Sequence, residues 1–239
     1  MTTTKKSNMP IDILAVEQTP LPQFQMACVL FVQICEGLNV NVLFPFVAFM
    51  VEDMGYTGEA LGYHAGLLAA SFCFAQFCTA VPWGMVSDRF GRKPAILIGT
   101  MGSGLGMLLF GLSRTFPQAI AARIFSGLLS GNLGVVKSLL TEITDDTNRG
   151  PALSYMSLAW AIGCVIAPLA GGMLCRPALK YPSVFPDKKG YLFADYPYLL
   201  PCLVCLTWST FSAIFCACFM IETRKQKKPK NNNTSQIDE

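Results

Sequence analysis

The chain has 239 residues, of which 52% are hydrophobic and 14% charged, and a formal net charge of +3; its mean hydropathy is +0.44. A water-soluble domain carries about a quarter charged residues, so the composition excludes one and describes a chain that crosses a membrane several times. The small net charge, with no basic stripe interleaved with stacking aromatics, excludes nucleic acid as a partner.

Residues 1–25 are polar and mixed, with Lys5 and Lys6 and no apolar run beside them. They read as a cytosolic tail rather than a cleavable signal peptide, so the first span must direct insertion itself. Six apolar segments follow, at 26–50, 61–86, 94–113, 116–140, 151–174 and 198–221. Each can span a bilayer core of roughly 20 helical residues, some with tilt. Backbone polar groups cannot be left open to lipid, so these segments must be helices, and they are too long for barrel strands. The predicted fold class is an all-α membrane protein. Six transmembrane helices fill residues 26–221, followed by a polar, basic tail at 222–239 that reads as disordered.

The first span contains one ionisable acid or base, Glu36, with Gln33 and Asn39 three residues to either side. That spacing puts all three on one helix face. A charge inside a membrane costs about 3 kcal/mol on insertion scales and faces a cavity or a partner. Glu36 is the candidate proton-loading group; a structural hydrogen bond to a neighbouring helix is the simpler alternative.

Between the second and third spans lies Gly84-Met-Val-Ser-Asp88-Arg89-Phe-Gly91-Arg92-Lys93-Pro94. Short loops rich in Arg and Lys stay cytoplasmic, and Pro94 suits a first helical turn. Gly84 and Gly91 are expected to allow close backbone approach. Asp88, Arg89, Arg92 and Lys93 are too many charges for a spacer and read as an ion-pair latch. Basic residues place both termini inside, with Lys5, Lys6, Arg149 and the Arg224–Lys230 cluster on that side.

In the fourth span Arg123 is followed by Gly127 and Gly131, a spacing that grooves a helix for close contact; Arg123 is expected to partner Glu36 or a substrate, or to snorkel outward. The fifth span carries Gly163, Pro168, Gly171 and Gly172, a kink flanked by small residues. The loop at 176–197 holds Pro177, Pro182, Pro186 and Pro197 and suggests an ordered, non-helical lid on the outer face; a plain connector explains it as well. Nine of ten cysteines sit within spans and act as small apolar residues. Cys202 and Cys205 form a C-x-x-C inside a span, a poor zinc clamp without further ligands. No metal, cofactor or enzymatic motif is expected.

The 84–94 string resembles the loop between helices 2 and 3 of the major facilitator superfamily, G-x-x-x-D-R-x-G-R-K. Arg123-x-x-x-Gly127-x-x-x-Gly131 resembles its helix 4 motif. The fifth-span string is similar to the helix 5 motif of its proton-coupled antiporters, with Ala167 in place of a glycine. Thr19-Pro-Leu-Pro22, Leu43-Phe-Pro-Phe46, Lys180-Tyr-Pro-Ser183 and Leu200-Pro-Cys202 are similar to the zinc-induced-facilitator-like branch and its fungal drug:proton antiporter relatives.

This resemblance implies half of a twelve-span fold, built as two three-helix repeats. It implies secondary active transport of small organic solutes, chelators or drug-like compounds by proton-coupled antiport. The partners would be the lipid bilayer, a small-molecule substrate, protons, and a second half or a second copy. The location would be the plasma or vacuolar membrane. Glu36 would handle the proton, with Arg123 modulating it or touching substrate. Gly163, Pro168 and Gly171 would shape helix 5 motion. Asp88, Arg89 and Arg92 would stabilise an outward-open state. Arg92 would pair with Glu142 at the end of helix 4, whereas Asp88 would brace a helix of the other half and so lack a partner within this chain. The alternative is a truncated regulatory protein that pairs with a full-length carrier.

Overall fold

The structure is a computed structural model that describes residues 19–185 and 191–223. Lys5, Lys6, Pro186, Lys188, Lys189 and the basic run from Arg224 lie outside the described residues. Ten helices are present among them. The first span is interrupted: α1 (Gln23–Asn41) stops and α2 (Val47–Asp53) continues outward. Pro45 in the gap has no N–H to donate, so an unbroken helix over 26–50 would lose a ladder bond there. The second span is α3 (Glu59–Phe90) and the third is α4 (Arg92–Gly111). The fourth is split into α5 (Phe116–Leu129) and α6 (Asn132–Ile143). The fifth is α7 (Arg149–Leu174). Two single turns, α8 (Pro177–Lys180) and α9 (Leu192–Asp195), lie in the outer loop, and α10 (Leu199–Phe219) is the sixth span.

Five stretches are long and apolar enough to cross a membrane: Glu59–Phe90, Arg92–Gly111, Phe116–Ile143, Arg149–Leu174 and Leu199–Phe219. At 19 residues, α1 has sufficient length for the sixth crossing, about 28 Å at 1.5 Å per residue. Its Gln33, Glu36 and Asn39 make it more polar than the rest, and all three are buried against other helices.

The helices pack chiefly as α1 on α7, α4 on α10 and α3 on α5. Small residues set the first contact. A Cβ on Gly37 would lie 2.7 Å from the Trp160 carbonyl oxygen, and one on Gly163 would lie 2.6 Å from that of Ile34. The core has two layers. Leu43, Phe46, Met107, Phe110 and Tyr198 fill the outer layer. Val29, Ile96, Val136, Leu139 and Cys216 fill the inner one. Bulky apolar side chains such as Phe74, Phe77 and Val81 on α3, and Val165 and Leu169 on α7, point outward. Hydrocarbon is as apolar as leucine, so such faces carry no penalty in a bilayer.

Candidate functional site

The break in the fourth span creates the polar centre. The α5 helix ends at Leu129 because Ser130 adopts φ −82° and ψ 69°, the inverse γ-turn conformation, closed by a 3.0 Å bond from the Gly131 N–H to the Leu129 carbonyl. Backbone groups freed inside a membrane must find other partners. Trp83 Nε1 donates to the Leu128 carbonyl at 2.8 Å, and Gln76 Nε2 donates to that of Ser130 at 3.1 Å. Gly131 is required here, since a Cβ would fall 2.0 Å from the Trp83 ring.

The turn aims two side chains at α1. Glu36 is 1% exposed. Its carboxylate accepts a 2.9 Å bond from Ser130 Oγ and another of 2.9 Å from Asn132 Nδ2. Gln76 Nε2 donates to Ser130 Oγ at 3.0 Å, and Asn132 Nδ2 also reaches Thr100 Oγ1 at 3.1 Å. Asn132 Oδ1 is buried without a hydrogen-bond partner among the described residues. It sits over Gly99, where a Cβ would be 2.3 Å away. Asn39 donates to Ser103 Oγ at 3.1 Å. Gln33 is buried, and its Oε1 is unpaired among the described residues.

Arg123 does not pair with Glu36, contrary to one sequence-based expectation, and it does not snorkel. It is 1% exposed. Its guanidinium lies 4.6 Å from the Phe72 ring centre and 5.7 Å from that of Phe110. Nη1 is 3.4 Å from the Asn39 carbonyl oxygen and 3.5 Å from Met107 Sδ, while Nε has no partner among the described residues. A desolvated cation gains about 2 kcal/mol from an aromatic face, which holds the charge here in place of a carboxylate. Arg123 meets the polar stripe of α1 through backbone rather than through Glu36.

At the junction of α3 and α4, Arg92 gathers the charges of the 84–94 turn. Its Nη2 is 2.9 Å from Glu142 Oε1, the expected pairing, and its Nη1 is 2.7 Å from Asp88 Oδ1. Asp88 therefore does have a partner within this chain, because one helical turn places it beside Arg92 across the Gly91 bend. Gly91 has φ 111°, a conformation favouring glycine. One residue that sequence reasoning missed is Glu222, assigned there to the tail. Its carboxylate accepts from the backbone N–H of Arg92 at 2.8 Å and of Lys93 at 3.1 Å, capping the positive end of α4. Thr223 Oγ1 hydrogen-bonds Glu142. The only available signal was an acid just past the last apolar residue of the sixth span. The Arg89 guanidinium lies 5.7 Å from the Phe90 ring. Gly84 has no atom within 4 Å of an added Cβ among the described residues, so the close approach expected there does not occur among them.

In the fifth span, Gly163 and Gly171 do touch backbone, the latter with a built Cβ 2.3 Å from the Val42 carbonyl oxygen. Among the described residues Gly172 meets only Pro45, at 3.7 Å, an ordinary contact. Pro168 lies inside α7 without ending it. Just beyond α7, Arg176 Nη2 reaches Asp53 Oδ1 at 2.7 Å and Nε reaches Tyr198 Oη at 3.1 Å, while the Tyr198 hydroxyl donates to Asp53. This cluster ties the outer loop to α2. The helical turns α8 and α9 correct the non-helical reading of this loop.

The Major Facilitator Superfamily model matches residues 29–237. Among curated proteins, the chain is 39% identical to Protein ZINC INDUCED FACILITATOR-LIKE 1 of Arabidopsis thaliana, over 82% of this chain and 41% of that protein. It is 36% identical to the major facilitator superfamily multidrug transporter mfsB of Aspergillus fumigatus, over 87% of this chain and 35% of that protein. Among solved structures, the human organic anion transporter MFSD10 (TETRAN) superposes with a TM-score of 0.68 at 19% identity, covering 86% of this chain and 49% of that one. The chain thus spans less than half the length of these relatives. Six crossings, the charged turn at 84–94 and this agreement in both sequence and fold establish that the chain is an integral membrane protein belonging to the Major Facilitator Superfamily of transporters.

Proposed function

We propose that this chain forms one half of a proton-coupled antiporter for small organic solutes, with Glu36 as the proton-carrying group. One observation carries the reading: Glu36 is buried in the helix bundle and held by two neutral donors, Ser130 and Asn132, with no ion pair to it among the described residues. A carboxylate held by a cation resists protonation, whereas one held by a hydroxyl and an amide takes a proton without stranding a partner charge. Proton binding and release at this position alter the charge of the bundle centre and favour different arrangements of the helices. Arg123, one turn away along the stripe, keeps a positive charge near that centre. The Asp88–Arg92–Glu142 cluster closes the cytoplasmic end while the carrier faces outward. A second six-helix unit, either another half or a second copy, supplies the opposing wall against α3 and α7. The name of one relative, a multidrug transporter, supports drug-like compounds as cargo.

The test uses proteoliposomes carrying the chain, an imposed pH gradient and ethidium as the probe drug. Glu36→Gln keeps the shape of the side chain, so the protein should still fold while pH-driven ethidium movement disappears. Undiminished pH-driven flux in that variant would overturn the role of Glu36.

A further inference from the structure

The break in the fourth span is braced by two other helices. From α3, Gln76 and Trp83, one heptad apart on the same face, take the carbonyls that the break sets free. From α1, Glu36 takes the hydroxyl of Ser130 and the amide of Asn132, the residues flanking Gly131. The bracing from α3 involves only neutral groups. The bracing from α1 depends on a carboxylate.

We propose that Ser130 and Asn132 are positioning residues that transmit the protonation state of Glu36 to the break at Ser130–Gly131, so that proton loading lets α6 move relative to α5. The inference rests on Glu36 as the proton group. An ionised carboxylate accepts both bonds, and charge-assisted bonds are about twice as strong as neutral ones. A protonated Glu36 has a hydrogen to donate and needs an acceptor. Ser130 Oγ already receives one bond, from Gln76. Asn132 Oδ1 is buried, unpaired among the described residues and part of the same amide. Turning that amide over presents Oδ1 to the new O–H and withdraws Nδ2. Gly99 provides the space beside Asn132 Oδ1 that any larger residue would fill. The hydrogen bonding of Asn132 therefore depends on the proton, and Asn132 is the first residue of α6.

The other groups around Glu36 leave it as the titrating member. On α1, Cys35 hydrogen-bonds Ser209 of α10, and Arg123 of α5 approaches the Asn39 carbonyl. From α4 come the neutral Thr100 and Ser103, and α7 meets the neighbouring Gly37 through Trp160, Gly163 and Cys164, whose thiol is engaged by Asn41. Lys137 of α6 is exposed. Among the described residues, the four ion pairs all lie elsewhere.

Trp83 reports on the break directly, because its indole donates to Leu128 and packs on Gly131. The experiment uses the full chain in lipid nanodiscs with Trp160→Phe and Trp208→Phe, leaving Trp83 as the single emitter, with helicity checked by circular dichroism. The emission should shift with pH along one protonation step. The shift should be lost in Glu36→Gln and diminished in Ser130→Ala and Asn132→Ala. Emission that is insensitive to pH, or a full shift in Glu36→Gln, overturns the inference. Should Glu36→Gln fail to fold, a full shift in both Ser130→Ala and Asn132→Ala overturns it instead. The transport reading fails separately: a Trp83 shift that requires Glu36, alongside ethidium flux that does not, retains the coupled break and removes the antiport role.

Discussion

Arg92 and Glu142 meet at 2.9 Å although they stand 50 residues apart, at the start of the third span and the end of the fourth. Both are largely shielded, with side chains 14% and 28% exposed. Arg92 also holds Asp88 and Ser87, so the guanidinium gathers the C-terminal ends of α3 and α6 at the start of α4. Glu222 brings the end of α10 to the same point.

Removing the charge at Glu142 should loosen this junction. A hydrogen bond to a charged group contributes about 1.5–3 kcal/mol, and partial exposure reduces that. Glu142→Gln is expected to lower stability by about 1 kcal/mol, measured as thermal unfolding in detergent. Arg92→Gln should have the larger effect, because it removes the bonds to Glu142, Asp88 and Ser87 together. A cycle with both substitutions should show coupling between them. Additive effects would mean that the two residues do not act together.

The α1–α7 contact should tolerate no added carbon at Gly163 but should accept one at Gly172. Gly163→Ala forces a Cβ against the Ile34 carbonyl, an overpacking that costs about 1–3 kcal/mol. Gly172→Ala finds its nearest atom at ordinary contact distance and should unfold like the parent. Thermal unfolding of the two variants side by side checks this, and equal midpoints would remove the claim that the glycine at 163 sets the helix separation.

The turn at Asp145, between α6 and α7, should be sensitive to acid. Hydrogen bonds from the Thr147 and Thr19 hydroxyls, together with the Thr147 and Asn148 backbone N–H groups, hold the Asp145 carboxyl down to about 2. A depressed carboxyl stabilises the folded turn above its ordinary value of about 3.9 and loses that contribution as pH falls towards 2. The Thr147 and Asn148 amides should therefore stay protected from hydrogen exchange at pH 7 and pH 5, allowing for the intrinsic rate, and lose protection below about pH 4. Asp145→Asn should weaken their protection at every pH.

The sequence alone determined the membrane class, the six crossings, the charged turn at 84–94 and the single acid within the first span. These follow from local composition, because lipid permits only helices and penalises charge wherever it occurs along the chain. The Arg92–Glu142 pair came from the family pattern and was met in the fold. Tertiary structure decided which groups receive the buried charges. Arg123 rests on Phe72 and Phe110 rather than on Glu36, because helix packing and not composition sets which side chains meet. The split of the fourth span was equally hidden. Ser130 and Gly131 are tolerable in many helices, and only the side chains of Trp83, Gln76 and Glu36, brought in from two other spans, satisfy the backbone and hydroxyl groups that make this break stable. Glu222 and Arg176 escaped for the same reason: each looks like a loop charge until distant helices deliver the N–H groups of α4 and the carboxylate of Asp53 beside them.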